Sequence, residues 1–194
     1  MRKNIILCGV GGQGTVLASR LISAAAMAKG MPVYSAETIG MAQRGGSVFS
    51  HLRIGEGIHS PMIARREADL IIGFEPGEAV RLLPFLKPGG AMIVSDRAVM
   101  PVTASLSGTD YQARDMLDYL SAHVSSLQIV PAEKALAEVG SPKVLNLVLL
   151  GAALRSGALG LEEADLREAI RTRIPEKFHA LNLKALSWAS ITNP

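Results

Sequence analysis

Gly9-Val10-Gly11-Gly12-Gln13-Gly14 satisfies the spacing G-x-G-x-x-G. Glycines at these intervals permit a tight turn, let an anion approach the backbone, and let a helix pack close to a strand. Free N–H groups at the start of the following helix would add partial positive charge. Gln13 and Thr15 could supply side-chain donors. Two readings stand: a cradle for a ligand or partner, or a tight strand-to-helix turn that holds nothing. Gly11 is expected to take a positive φ, so that Gly11→Val would cost stability. Glu37 lies 23 residues after Gly14. In a dinucleotide-binding fold an acid near that place holds the ribose hydroxyls. The pair therefore keeps open a stand-alone Rossmann-like NAD(P)- or FAD-binding oxidoreductase.

Gly40-Met41-Ala42-Gln43-Arg44-Gly45-Gly46 is the most distinctive stretch. Gly45 and Gly46 let the backbone bend beside Arg44, whose planar fork suits a carboxylate or phosphate. The alternative is a salt-bridged structural arginine in a loop. Little else has catalytic spacing. His51, His59, His123 and His179 show no metal-ligand pattern. Ser19, Ser35 and Ser47 lack a nucleophile elbow, and no P-loop sequence occurs. Cys8 sits in an apolar run and reads as an inert buried thiol. No metal site and no residue set capable of catalysis alone is expected.

The elements that must position these residues follow from periodicity. Asn4–Cys8 reads as a buried strand that stops at the glycine cluster. Gln13–Lys29 reads as a helix that Gly30 ends. Pro32–Ala36 is a second strand, Glu37–Gly46 a loop, and Ser47–Ile54 an alternating strand, with Ile58–Ile63 returning as a short hairpin partner. Ala68–Phe74 is a strand, Pro76–Leu83 a short helix, Lys87–Gly90 a turn and Ala91–Ser95 a buried strand. Met100–Gly108 is a surface loop, Asp110–Ala122 a helix and Leu127–Val130 a strand. Three helices close the chain: Pro142–Arg155, Glu162–Arg173 with acids in its first turn, and Pro175–Ala189. The order implies a three-layer α/β fold with a mixed, mostly parallel sheet, a glycine-rich turn between the first strand and helix, and a helical C-terminus.

At 194 residues, one domain over 1–194 is expected. Hydrophobic residues at 48% and charged ones at 19% exclude disorder for the bulk of the chain. The net charge of +3 is scattered and aromatics are 4%, against nucleic-acid binding. One cysteine forbids an internal disulfide and any multi-cysteine cluster, which favours a cytoplasmic location. The apolar run after Met1 is too short for a signal peptide, and no membrane span is expected.

The opening Gly9–Thr15, the stretch Gly40–Val48, and Pro142-Lys143-Val144-Leu145-Asn146 with Leu150-Gly151-Ala152 occur in order along the chain. Together they resemble the gamma-type subunit of 2-oxoacid:ferredoxin oxidoreductases. The Met-x-Gln-Arg-Gly-Gly form is most similar to the beta subunit of indolepyruvate ferredoxin oxidoreductases. The resemblance implies a subunit, inactive alone, of an enzyme that oxidatively decarboxylates a 2-oxoacid, for this branch an aryl pyruvate. The products are an acyl-CoA and reduced ferredoxin. It implies that thiamine diphosphate and iron–sulfur clusters sit in a large partner subunit, with coenzyme A as co-substrate. Gly9, Gly11, Gly12, Gln13, Gly14 and Thr15 would then face substrate or coenzyme A. Glu37 and the loop of Gln43, Arg44, Gly45 and Gly46 would lie at the subunit interface or the mouth of the site. Arg44→Ala would lower turnover of the assembled complex. Many members of the branch carry histidine where this chain has Ile39, a departure that bears on aryl specificity. A homodimer in isolation is compatible with this picture.

Overall fold

The computed structural model describes residues 2–38, 45–99 and 111–188. Strand β1 (Lys3–Val10) is buried on both sides. Its alternating side chains split between two cores: Ile5 and Leu7 enter one, Ile6 and Cys8 the other. Helix α1 (Thr15–Ala28) follows and buries Ala18, Leu21, Ile22, Ala25 and Ala26. It ends at Gly30 (φ 74°), whose N–H donates to Met27 O at 2.9 Å.

The remaining strands are β2 (Val33–Glu37), β3 (Ser47–Ile54), β4 (Ala68–Gly73), β5 (Leu86–Ser95) and β6 (Ser126–Val130). Their order in the sheet is β2-β3-β1-β4-β5-β6. The pairs β1–β4, β4–β5 and β5–β6 are parallel. Strand β3 runs antiparallel to both β1 and β2. The expected mixed, mostly parallel sheet is thus present.

On one face lie α1, α4 (Ala132–Val139), α5 (Leu145–Arg155), α6 (Glu163–Arg173) and α7 (His179–Leu186). On the other lie α2 (Pro76–Leu82) and α3 (Ala113–His123). Helix α5 is buried almost all round, as its near-continuous apolar sequence requires. Gly151 makes this possible: a Cβ there would sit 2.0 Å from Leu186 O, so α7 rests directly on its backbone. Glu162 caps α6 in a reciprocal pair with Asp165, so the helix begins one residue after the Glu162 start that the acids suggested.

The structure corrects several element assignments, among them Glu37, which ends β2 rather than opening a loop, and Pro142–Val144, a 3-10 turn ahead of α5. Ile58–Ile63 forms no strand; it is held instead by side chains of β3. His51 Nδ1 accepts from Ile63 N at 3.0 Å, and Arg53 donates to Ser60 O and Met62 O, each at 3.1 Å. Lys87–Gly90 is not a free turn but a bulge inside β5, because pairing jumps from Ala68–Leu86 to Leu70–Ala91. Helix α4 is additional. The helix expected over Pro175–Ala189 opens with a 3-10 turn, Glu176–Phe178, before α7. The Met100–Gly108 loop lies outside the described residues.

Candidate functional site

Strand β1 connects through α1 toward β2, while its neighbour β4 connects through α2 toward β5 on the other side. Chain direction therefore diverges between β1 and β4. In open α/β sheets, ligands settle in the crevice beyond the strand ends at such a point. The glycine motif lies here. Gly12 (φ 95°) and Gly14 (φ 86°) adopt left-handed backbone, and Gly14 is the N-cap of α1 without a side-chain cap. Gly11 is not among the left-handed glycines, contrary to expectation. Its contribution is its N–H, which donates to Gly46 O at 3.0 Å. One backbone bond thus joins the two most distinctive stretches of the sequence.

Gln13 turns inward. Its Oε1 accepts from Val10 N at 2.7 Å and its Nε2 donates to Phe74 O at 3.0 Å. The side chain stitches the end of β1 to the residue after β4, inside the crevice. Gly9 is bare for this reason: a Cβ there would lie 2.5 Å from Gln13 Oε1 and 2.8 Å from Phe74 Cβ. Thr15 is also buried, at the first turn of α1. Gly9, Gln13 and Thr15 therefore build the turn from within. A Cβ on Gly14 would lie 3.0 Å from Asn146 Nδ2, so the buried Asn146 at the start of α5 packs against the turn. The third stretch of the resemblance meets the first at this contact.

Gly12 and Gln13 also line a cavity of about 210 Å³, together with Arg97, Val99, Pro142, Lys143 and Leu145. The amide-rich start of α1 and the cations of Arg97 and Lys143 make it suited to an anion. Arg97 is shared with Glu133, Nε to Oε1 at 3.2 Å.

On the other side of the crevice stand two buried carboxylates that sequence reading missed. Glu75 caps α2, accepting from Glu78 N at 2.9 Å through Oε2 and from the Tyr111 hydroxyl through Oε1. Tyr111 Oη in turn accepts from Gly77 N at 2.9 Å. Burial first, then the bond to Glu75, hold the Tyr111 phenol well above its ordinary range, so it stays a donor. Glu78 Oε2 accepts from Ser47 Oγ at 2.5 Å, which fastens the first residue of β3. The readable signal was Glu75-Pro76-Gly77-Glu78, an acid at the cap, proline at the first helical position and an acid three residues on. Cys8 lies beneath, buried as expected; burial, then Glu78 and Glu75, push its thiol far upward.

Glu37 is not brought to this site. It ends β2, and the intervening β3 sets it two strand spacings, roughly 9–10 Å, from β1. It lines a separate groove with Leu17, Arg20 and Arg173. A ribose-binding acid belongs on the strand beside the glycine turn. The dinucleotide reading loses its second residue here. Ile39, Gln43 and Arg44 lie outside the described residues; Gly45 (φ 68°) and Gly46 lie at the turn that opens β3.

Among the described residues no group of three or more His, Cys, Asp and Glu side chains could hold a metal ion. Among the same residues no single helix is long and apolar enough to cross a membrane.

The family model for "Pyruvate ferredoxin/flavodoxin oxidoreductase" matches residues 4–190. An indolepyruvate oxidoreductase subunit IorB from Methanothermobacter thermautotrophicus is 38% identical over 186 residues, 95% of this chain and 94% of that one. Its counterpart from Archaeoglobus fulgidus is 37% identical over 187 residues, covering 96% and 92%. A gamma subunit of a keto/oxoacid ferredoxin oxidoreductase from Geobacter sulfurreducens shares the fold, with TM-score 0.67, 23% identity, and 96% and 93% coverage. The 2-oxoglutarate:ferredoxin oxidoreductase of Magnetococcus marinus, solved with 2-oxoglutarate, coenzyme A and succinyl-CoA, matches at TM-score 0.68 and 22% identity. There the match covers 95% of this chain but 30% of the other.

Proposed function

The chain belongs to the pyruvate ferredoxin/flavodoxin oxidoreductase family, and from that membership we propose that it is the gamma-type subunit of an indolepyruvate:ferredoxin oxidoreductase. The observation that carries the reading is the Gly11–Gly46 bond, which joins the two stretches typical of the family at the crevice between β1 and β4. The whole of 1–194 acts as one domain in this reading, and the enzyme works in the cytoplasm.

The reaction converts an aryl pyruvate anion and coenzyme A to an acyl-CoA, carbon dioxide and a proton, with two electrons passed to oxidised ferredoxin. The donors of this chain do not fit an iron–sulfur cluster. It has one cysteine, which is fully buried, whereas a cluster takes about four thiolates. Thiamine diphosphate and the clusters belong to the large partner subunit, where thiamine supplies the carbanion chemistry.

What this chain contributes is a wall. The cavity beside Gly12 and Gln13, with Lys143 and Arg97 on its rim, offers amides and cations to a phosphate of coenzyme A. The stitched interior of Gly9, Gln13, Gly14 and Thr15 keeps that wall rigid, so little ordering cost falls on the ligand. Gly45 and Gly46, at the turn that opens β3, face the partner subunit in this reading.

Co-expression with a thiamine-bearing large subunit tests the reading. The expected product is a stable complex that reduces a viologen dye with indolepyruvate and coenzyme A. Lys143→Ala in that complex should raise the KM for coenzyme A about tenfold, as loss of one charge-assisted bond does, with kcat little changed. Failure to associate, or dye reduction by the large subunit alone at the full rate, defeats it.

A further inference from the structure

At the opposite, N-terminal edge of β4, β5 and β6 lies a second depression, of about 510 Å³. Its rim carries Arg65, Arg66, Lys87 and His123, and its walls include Leu83 and Val124. None of the three stretches that carry the resemblance lines it. Lys87 is neutralised by an ion pair with Asp69. Arg65 and Arg66 are not: both are exposed, and no hydrogen bond or ion pair to either guanidinium occurs among the described residues. Two uncompensated cations share one concave surface.

Their placement is fixed rather than incidental. Arg66 is the non-glycine residue with positive φ (64°) among the described residues, a conformation that disfavours a side chain. Its N–H donates to Pro84 O at 3.1 Å, and Asn4 Nδ2 donates to Glu67 O at 3.0 Å. The turn is thus pinned from both sides. Glycine would fit this backbone more easily, yet an arginine with no partner in the chain stands there. Strained non-glycine positions of this kind cluster at binding and active sites. His123 at the end of α3 stacks on Tyr119 with centroids 4.1 Å apart, and its Nδ1 lies 2.7 Å from Tyr119 O. A carbonyl accepts, so Nδ1 donates; Nε2 of the neutral ring is then an acceptor, and the phosphate donors of this surface are the two arginines. The bulge Lys87–Gly90 forms the remaining wall.

We propose that this depression binds a small organic phosphate. The phosphate lies between the Arg65 and Arg66 guanidinium groups, which suit a dianion in planar, forked geometry. The apolar body of the ligand rests on Leu83, Pro88 and Val124. This site is independent of the reading given for the glycine turn.

Titration of the full-length chain with phenyl phosphate, followed by amide chemical shifts, tests the proposal. Saturable shifts are expected at Gly89, Gly90, Val124 and Ser125, with inorganic phosphate binding more weakly at the same amides. Arg66→Gly, which suits the left-handed backbone, should weaken phenyl phosphate about tenfold while the melting temperature holds. Arg65→Ala should do the same, and Arg171→Ala on α6 should change nothing. The proposal fails if shifts are confined to Gly12 and Lys143, or if no amide saturates. It also fails if both arginine variants bind like the parent. Displacement of phenyl phosphate by a hexaglutamate peptide at lower concentration would reassign the surface to an acidic protein partner and overturn it too.

Discussion

The two ends of the sheet differ in how completely their polar side chains are satisfied. At the edge that carries the glycine turn, Gln13, Glu75, Glu78, Tyr111 and Ser47 bond one another or the backbone. At the other edge the side chains of Arg65 and Arg66 bond nothing described, although the backbone beneath them is pinned. Buried polar groups must be satisfied internally, so the first edge is architecture that presents amides. Exposed cations have no such obligation. The lesson is that Gly9, Gln13 and Thr15 within the glycine motif build the turn that presents its amides, whereas Arg65 and Arg66 have no such structural partners.

The most forceful way to break this contrast is Gly9→Val. Two contacts under 3.0 Å leave no room for a side chain, and unfolding by denaturant should show a loss of about 3 kcal/mol or more. A parent-like midpoint would mean that Gln13 moves aside freely, and the edge would not be stitched. Gln13→Leu should cost about 2 kcal/mol, since it removes two hydrogen bonds and strands Val10 N–H. Calorimetry should register this as a drop of roughly 4–8 °C.

A subtler effect sharpens the other side. Burial holds the His51 imidazole below its ordinary 6.5, and its Nδ1 must stay unprotonated to accept from Ile63 N. A depressed folded value means that the unfolded chain takes the proton first. The stabilisation is complete above about pH 6.5 and is lost as pH falls from there through the folded value. His51→Asn, whose Oδ1 can accept the same bond, should flatten the decline in melting temperature between pH 7 and 5. An unchanged slope would show that the segment leading to Arg65 is not held by this bond.

Much of this was legible in the sequence, and the gaps have physical reasons. Strand β1, helix α1 and the strands at Ala68 and Ala91 carry strong local patterns. Helix α4 carries one too, with Ala132, Ala135, Leu136 and Val139 buried, but eight alanine-rich residues make a faint signal. The intrusion of β3 between β1 and β2 is a non-local pairing that no window of sequence contains, and it alone decides where Glu37 goes. Ile58–Ile63 mimics a strand because buried Ile58 and Ile63 flank it, but its backbone groups pair with the side chains of His51 and Arg53 rather than with a neighbouring strand. Buried Glu75 and Glu78 run against the usual exposure of acids.

The Gly11–Gly46 bond has main-chain atoms at both ends. Alanine scanning leaves donor and acceptor untouched, so a mutational survey would pass over the link while recording changes around it. Proline at position 11, which has no N–H, deletes the donor genetically, and an ester in place of that amide does so chemically. Heredity therefore has almost no single-letter route to sever the connection, and persistence of the residues around it would understate how firmly it is kept.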